Sequence, residues 1–220
     1  FKVHTLTAVD RGLRAGILYA LLKRRKVDVT DRALAAAALA LGRRFAFSEE
    51  HGVQVSKLAL TLFDELATLH QLPAAARPYL EVAAMLHDLG HAVNYQKHHK
   101  HTHYLIVSSD LPGLTERERL LVALIARFHR RSKPEPTHEL LAPLTPAEFR
   151  LVRKCATLLR VADSLDRSHH QPVKSLTAQV RGRTDTMELI SCPRRWLRRE
   201  QLRQGLPHPV QLLDHLGHGC

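Results

Sequence analysis

Four side chains in this sequence have the types and spacing to hold a divalent metal ion: His51, the adjacent pair His87 and Asp88, and Asp163. The pair closes an apolar run, Val82-Ala83-Ala84-Met85-Leu86, where two polar side chains are costly to bury unless a metal or a partner satisfies them. Taken alone, a His-Asp dipeptide equally fits a carboxylate that orients its neighbour. The context argues for more. His51 lies near the start of the preceding helix, and Asp163 is an acid embedded in the apolar stretch Leu158-Leu159-Arg160-Val161-Ala162. Donors on three helices can then converge on one ion inside a bundle. The 16 histidines of the 220-residue chain point the same way, since imidazole is a common transition-metal ligand and a base near neutral pH.

Composition narrows the setting. Hydrophobic residues make up 45% of the chain, enough for one sizeable core and one main domain. Lys and Arg total 33 against 21 Asp and Glu, a formal charge of +12. That balance favours phosphate-rich or otherwise anionic partners, although a genome that writes Arg freely would produce it too. Cys155, Cys192 and Cys220 are far apart and form no C-x-x-C pattern, which argues against a disulfide framework or a thiolate zinc site. The longest apolar run, residues 33–41, is too short to span a bilayer, and no signal segment opens the chain. A cytoplasmic protein without membrane partners is expected.

The elements that must position the four residues are mostly helical. Residues 1–7 alternate like a strand and lead through a glycine turn into an apolar-periodic helix at 13–23. Helices are then expected over 31–45, from Ser48 as cap through Leu69, over 78–89 with Gly90 as a left-handed terminator, and over 94–108. Thr115-Glu116-Arg117-Glu118 and Thr145-Pro146-Ala147-Glu148 are capping boxes, the first opening a helix through Arg131. Residues 173–180 and 186–191 alternate around a turn and suggest a β-hairpin. From Pro193 the chain is rich in Arg, Pro, His and Gly, without apolar periodicity.

The order His…His-Asp…Asp resembles the signature of HD-superfamily phosphohydrolases. The closer likeness is to the C-terminal HD-like domain of the exopolyphosphatase and guanosine pentaphosphate phosphohydrolase (Ppx/GppA) family. The segments that carry it are Gly12-Leu13-Arg14-Ala15-Gly16, Ala83-Ala84-Met85-Leu86-His87-Asp88-Leu89-Gly90, His98-His99-Lys100-His101, Tyr104-Leu105-Ile106, Asp110-Leu111-Pro112-Gly113 and Arg127-Phe128-His129-Arg130. The resemblance implies a mainly α fold: an HD-type helical bundle over residues 27–172. Residues 1–26 would be a strand-turn-helix remnant of an actin-like phosphatase domain, followed at the far end by a β-hairpin at 173–192 and a basic tail at 193–220. The family's phosphatase centre lies in that actin-like domain, so full exopolyphosphatase activity is not expected of this piece.

The same likeness extends the ligand set. With one ion the ligands would be His51, His87, Asp88 and Asp163; with two, His99 and His129 join and Asp88 bridges. The metal would be Mn, Fe, Co, Ni or Zn, with Mg as a further candidate, and catalysis would turn on Asp88 and His87. Lys97, His98, Lys100, Arg127 and Arg130 would bind substrate phosphates, or else form a solvated basic rim. His98, His101 and His103 also fit such a rim, with His98 nearest the metal. The expected function is hydrolysis of a nucleotide, (p)ppGpp-like or polyphosphate substrate. The rival is a non-catalytic module that binds the same anions or forms a homodimer. Nucleic-acid binding ranks last. It rests on charge and on Arg194, Arg195, Arg198 and Arg199 around a single aromatic, Trp196.

Overall fold

Both capping boxes form, and each fixes where a helix begins. Thr115 and Thr145 accept hydrogen bonds from the backbone N–H of Glu118 and Glu148, whose carboxylates accept in return from the threonine N–H groups. These contacts belong to a computed structural model that describes residues 29–173, 175–178, 180–181 and 186–187. The expected strand-turn-helix of residues 1–26 and the basic tail of 193–220 lie outside the described residues. Among the described residues seven α-helices follow one another: α1 (Val29–Arg44), α2 (Glu49–Glu65), the single turn α3 (Ala67–His70), α4 (Arg77–Leu86), α5 (His98–Ser108), α6 (Glu116–Arg127) and α7 (Pro146–Leu165). No helix among the described residues is long and apolar enough to cross a membrane.

Helix α4 sits at the centre, in contact with α1, α2, α6 and α7. Surrounded on so many sides, it has little face to give to polar residues, which explains its nearly unbroken apolar sequence. Leu80, Val82, Ala83, Ala84, Met85 and Leu86 are all buried. Its C-terminal end therefore opens into the middle of the bundle, and that end carries His87 and Asp88. Two glycines permit the approach of the neighbouring helices. A Cβ on Gly52 would lie 2.6 Å from the Met85 carbonyl oxygen, so α2 packs against the end of α4 only because position 52 has no side chain. At Gly90 a Cβ would run into the His98 carbonyl and lie 2.6 Å from the Thr102 nitrogen.

Several boundaries differ from the sequence expectation, each for a local reason. Gly90 is not a left-handed terminator: among the described glycines only Gly113 has positive φ, at 102°. Its role is close approach to α5. Helix α5 starts at His98 rather than at 94, because Asn94 Oδ1 accepts from the Gln96 N–H at 2.7 Å and Lys97 takes a left-handed φ of 60°. Those contacts make a turn that competes with helix. Helix α6 ends at Arg127 rather than Arg131. Beyond it the Arg160 guanidinium donates to the carbonyls of His129, Arg131 and Ser132 at 3.3, 2.8 and 2.9 Å.

The first strand of the expected hairpin is different as well. Val173 and residues 175–178 are irregular, with Val173, Leu176 and Ala178 buried against the bundle. Side chains of α2 take up backbone groups there: Gln54 Nε2 donates to the Val173 carbonyl at 2.7 Å, and Glu65 accepts from the Ala178 N–H. Beyond, the two-residue strands β1 (Val180–Arg181) and β2 (Thr186–Met187) pair antiparallel, Val180 opposite Met187 and Arg181 opposite Thr186. The rest of the expected hairpin lies outside the described residues.

Candidate metal centre

Helix ends and starts from five parts of the chain deliver polar side chains to one place. His51 comes from the first turn of α2, His87 and Asp88 from the end of α4, His98 from the first residue of α5, His129 from just past α6, and Asp163 from the last turns of α7. His51, His87, His98 and His129 are 0–3% exposed, although histidine is among the residues that need a reason to be buried. Three overlapping groups have ligand atoms mutually within 4.8 Å: His51, His87 and Asp88; His87, His129 and Asp163; Asp88, His98 and His129.

The four histidines are oriented alike. His87 Nδ1 lies 2.7 Å from the Ala84 carbonyl, His129 Nδ1 2.6 Å from that of Ala126, and His98 Nδ1 3.1 Å from that of Tyr95. A carbonyl only accepts, so each Nδ1 carries the proton and each Nε2 turns a lone pair inward. His51 Nδ1 donates instead to Asp166 Oδ2 at 2.9 Å, and Asp166 is fully buried. Its other oxygen accepts from the Gln171 N–H at 2.7 Å. This is the carboxylate–histidine arrangement that orients metal ligands. His70 shows the contrast: Nε2 donates to the Phe63 carbonyl and Nδ1 accepts from the Leu72 N–H, so both nitrogens are used up in packing the core.

Whether these residues suit a cation follows from the atoms left over. His51 Nε2 and His87 Nε2 are buried without a hydrogen-bond partner. His98 Nε2 and His129 Nε2 face each other at 3.4 Å with both Nδ1 protons already committed. Burial holds both rings below the usual histidine range, His129 down to about 3, so at neutral pH two lone pairs confront each other. Asp88 divides its carboxylate between the two sides. Its Oδ2 lies 3.6 Å from His87 Nε2 and 3.9 Å from His51 Nε2, while Oδ1 lies 3.2 Å from His98 Nε2 and 3.7 Å from His129 Nε2. Asp163 Oδ1 stands 3.5 Å from His87 Nε2 and 3.6 Å from His51 Nε2.

Burial penalises both aspartates, yet the charge of His87 holds Asp88 below its usual range, and the nearness of His51 and His87 holds Asp163 well below it. For His87 burial works the other way, but Asp88 and Asp163 outweigh it and push the ring up to about 9. The two carboxylates thus favour a second proton on His87, at the Nε2 that its Nδ1 bond to Ala84 turns inward.

The structure gathers His51, His87, Asp88, His129 and Asp163, and with them His98, which the sequence reading gave to substrate. His99, one residue on, is buried but belongs to none of the three groups. Lys97 and Lys100 are exposed, Arg130 is half-buried and its charge acts on His98, and Arg127 is buried on the α6 side of α5. His101 and His103 are partly buried. Asp166 and His91 were missed. Asp166 repeats Asp163 three residues on, so it falls on the same helical face, and that spacing was the available signal. His91 Nδ1 lies 3.8 Å from Asp88 Oδ2, and its ring stacks on Tyr95 at 5.0 Å.

A helical bundle that turns buried imidazoles and carboxylates inward on one point offers a donor set whose types and spacing fit a divalent cation. The chain belongs to the family Ppx/GppA phosphatase, domain III, whose sequence profile matches residues 34–205. It is similar to proteins named guanosine-5'-triphosphate,3'-diphosphate pyrophosphatase. The one from Photobacterium profundum is 29% identical over 200 residues, 89% of this chain and 37% of the relative. That of Aeromonas hydrophila is 31% identical over 163 residues, 73% and 31% respectively, and that of Aeromonas salmonicida 29% identical over 206 residues, 92% and 39%. The chain spans well under half the length of these relatives.

Proposed function

We propose that this chain is a metal-dependent phosphohydrolase domain of HD type, acting on a nucleotide, (p)ppGpp-like or polyphosphate substrate. The observation that carries the proposal is the division of Asp88 between two pairs of imidazole nitrogens, Oδ2 toward His51 and His87, Oδ1 toward His98 and His129. One ion would be held by His51, His87, Asp88 and Asp163, and a second by Asp88, His98 and His129. His98 replaces His99 in this assignment. Divalent ions supply Lewis acidity toward a phosphoryl oxygen and acidify water near neutral pH. Imidazole donors favour Fe, Co, Ni or Zn over Mg, and the carboxylates of Asp88 and Asp163 also suit Mn.

The chain's own residues do the rest. Carbonyls of Ala84, Tyr95 and Ala126 and the Asp166 carboxylate fix the tautomers, so the donor set is organised before anything binds. Asp88 and Asp163 remain ionised and contribute negative charge that a polyanionic substrate alone would not approach. Lys97, Lys100 and Arg130 at the rim offer charge-assisted donors to phosphate oxygens. The name of the relatives supports a substrate with adjacent phosphates on a nucleoside.

A second reading, a module that binds polyphosphate or nucleotide or dimerises without turnover, is favoured by the chain matching only 31–39% of relatives named for catalysis. Elemental analysis of protein purified without added metal, beside Asp88→Ala, separates the two. One or two equivalents of metal with Asp88-dependent release of phosphate or pyrophosphate supports the enzyme. Metal without turnover on nucleotides, polyphosphate and phosphodiesters selects the binding module, and failure to take up any metal sinks the site itself.

A further inference from the structure

Three basic side chains that the metal centre does not use come together between α5 and α6. His99 and His103 are four residues apart on α5 and so share a helical face, and Arg127 is the last residue of α6, which packs on α5. Arg127 is only 6% exposed, and its Nη1 is buried without a hydrogen-bond partner. No ion pair to it forms among the described residues, whereas Arg43 and Arg117 have glutamate partners and Arg160 spends its donors on carbonyls. Nε2 of His103 is likewise buried and unpartnered. A guanidinium keeps its charge in proteins, and a buried charge without a counter-charge is costly. The Arg127 charge reaches both rings, and burial together with that charge holds His103 below its usual range. An imidazole ring, neutral or charged, has at least one N–H to offer. Lys100 and Arg131 lie close enough for their charges to act on His99 as well.

A planar charged fork beside two imidazole donors, with no carboxylate among them, matches a tetrahedral oxyanion. We propose that Arg127, His99 and His103 form a phosphate-binding site beside the metal centre that takes a second phosphoryl group of the substrate. The two sites adjoin: His98, a member of the metal cluster, has its ring centroid 5.8 Å from that of His99, and His129 follows Arg127 by two residues. A ligand with phosphates in series can engage both, while a simple phosphomonoester reaches one. Phosphate capture needs no metal; only the assignment to a substrate chain rests on the proposed metal-dependent function.

The 220-residue chain, stripped with EDTA and kept at constant ionic strength, is titrated with inorganic phosphate and with tripolyphosphate. Calorimetry and melting temperature are the readouts. Phosphate is expected to raise the melting temperature of the parent and of Asp88→Asn alike, and Arg127→Met to lose that shift and bind at least ten-fold more weakly. Without phosphate, Arg127→Met should melt no lower than the parent, since an apolar chain replaces an unpaired buried charge; an arginine with only a structural role would give a lower melting temperature. Arg127→Lys, which keeps the charge without the fork, is expected to bind with intermediate affinity and covers the case in which Arg127→Met does not fold. A parent that shows no phosphate-dependent shift, or an Arg127→Met chain that retains it, overturns the site. With Mn restored, tripolyphosphate should bind more tightly than phosphate in the parent but not in Asp88→Asn; equal affinities in the parent overturn the substrate assignment. Absence of metal uptake with the phosphate shift intact would remove the metal-centre proposal and leave the anion site standing.

Discussion

Asp166→Asn changes one atom in a fully buried side chain and tests how the candidate centre is oriented. Asp166 Oδ2 accepts the His51 Nδ1 proton at 2.9 Å, and Oδ1 accepts the Gln171 N–H at 2.7 Å. Asparagine has one oxygen for these two donors. With that oxygen on Gln171, the amide N–H₂ faces His51 Nδ1 and moves the ring proton to Nε2, which points at Asp163 and Asp88; the inward lone pair is lost. With the oxygen on His51, a buried donor at Gln171 goes unsatisfied, which costs about 1–3 kcal/mol. The second arrangement also replaces a carboxylate by a weaker neutral acceptor, so in both cases the orienting partner is weakened and metal affinity falls, by roughly 10- to 100-fold, about 1.4–2.8 kcal/mol. Competition titration of Co against a chelating dye reads the affinity, and urea unfolding of metal-free protein reads the stability. Unchanged affinity alongside reduced stability would show that Asp166 only packs the core, and the orientation argument would fail.

The two-ion assignment predicts that His98→Ala lowers metal content from two equivalents to one and that His99→Ala does not; elemental analysis decides, and the reverse result would restore His99 as the ligand. Gly90→Ala places a methyl group against the His98 carbonyl and the Thr102 nitrogen, backbone atoms that cannot step aside, so a loss of about 3 kcal/mol is expected in urea unfolding. A wild-type midpoint would refute the close packing of α5 on the turn after His87. Glu148 closes the α7 capping box, and the hydrogen bond from Arg117, with those from Thr145, lowers it from 4.5 to about 2. A depressed carboxylate stabilises the fold fully above its unfolded value and loses that contribution as pH falls through its folded value. Glu148→Gln should therefore flatten the pH dependence of stability between about 4.5 and 2, and an unchanged acid limb would argue against the Arg117 contact.

Features decided by local chemistry were legible in the sequence. The boxes at Thr115 and Thr145 formed because their partners are three residues away, within the same turn. The apolar run before His87 announced a helix buried on most sides, and the His-Asp pair at its end could therefore be placed inside the bundle. Asp163 stood out as an acid in an apolar stretch, and His51 by its place near the start of the preceding helix. Other features depended on contacts distant in sequence. Asp166 was missed because its two donors come from α2 and from a later turn. The strand expected from Val173 is irregular because Gln54 and Glu65, more than 100 positions earlier, engage its backbone. Alternation alone could not reveal that competition.

His98 and His99 differ by one residue, about 100° around a helix, and α5 has too few apolar residues on one side to fix its rotation from sequence. The rotation is set elsewhere. The Gly90 N–H donates to Thr102 Oγ1 at 2.9 Å, and Thr102 Oγ1 donates to the His87 carbonyl at 2.9 Å, so one hydroxyl ties α5 to both sides of Asp88. Thr102 is four residues after His98 and lies on the same face. Fixing Thr102 against the turn consequently turns His98 toward Asp88 and leaves His99 and His103 to face Arg127 on α6. The same single contact thereby turns one face of α5 toward the proposed cation site and the adjoining face toward the proposed anion site. The choice between neighbouring histidines is made by a threonine and a glycine, neither of which carries a ligand atom.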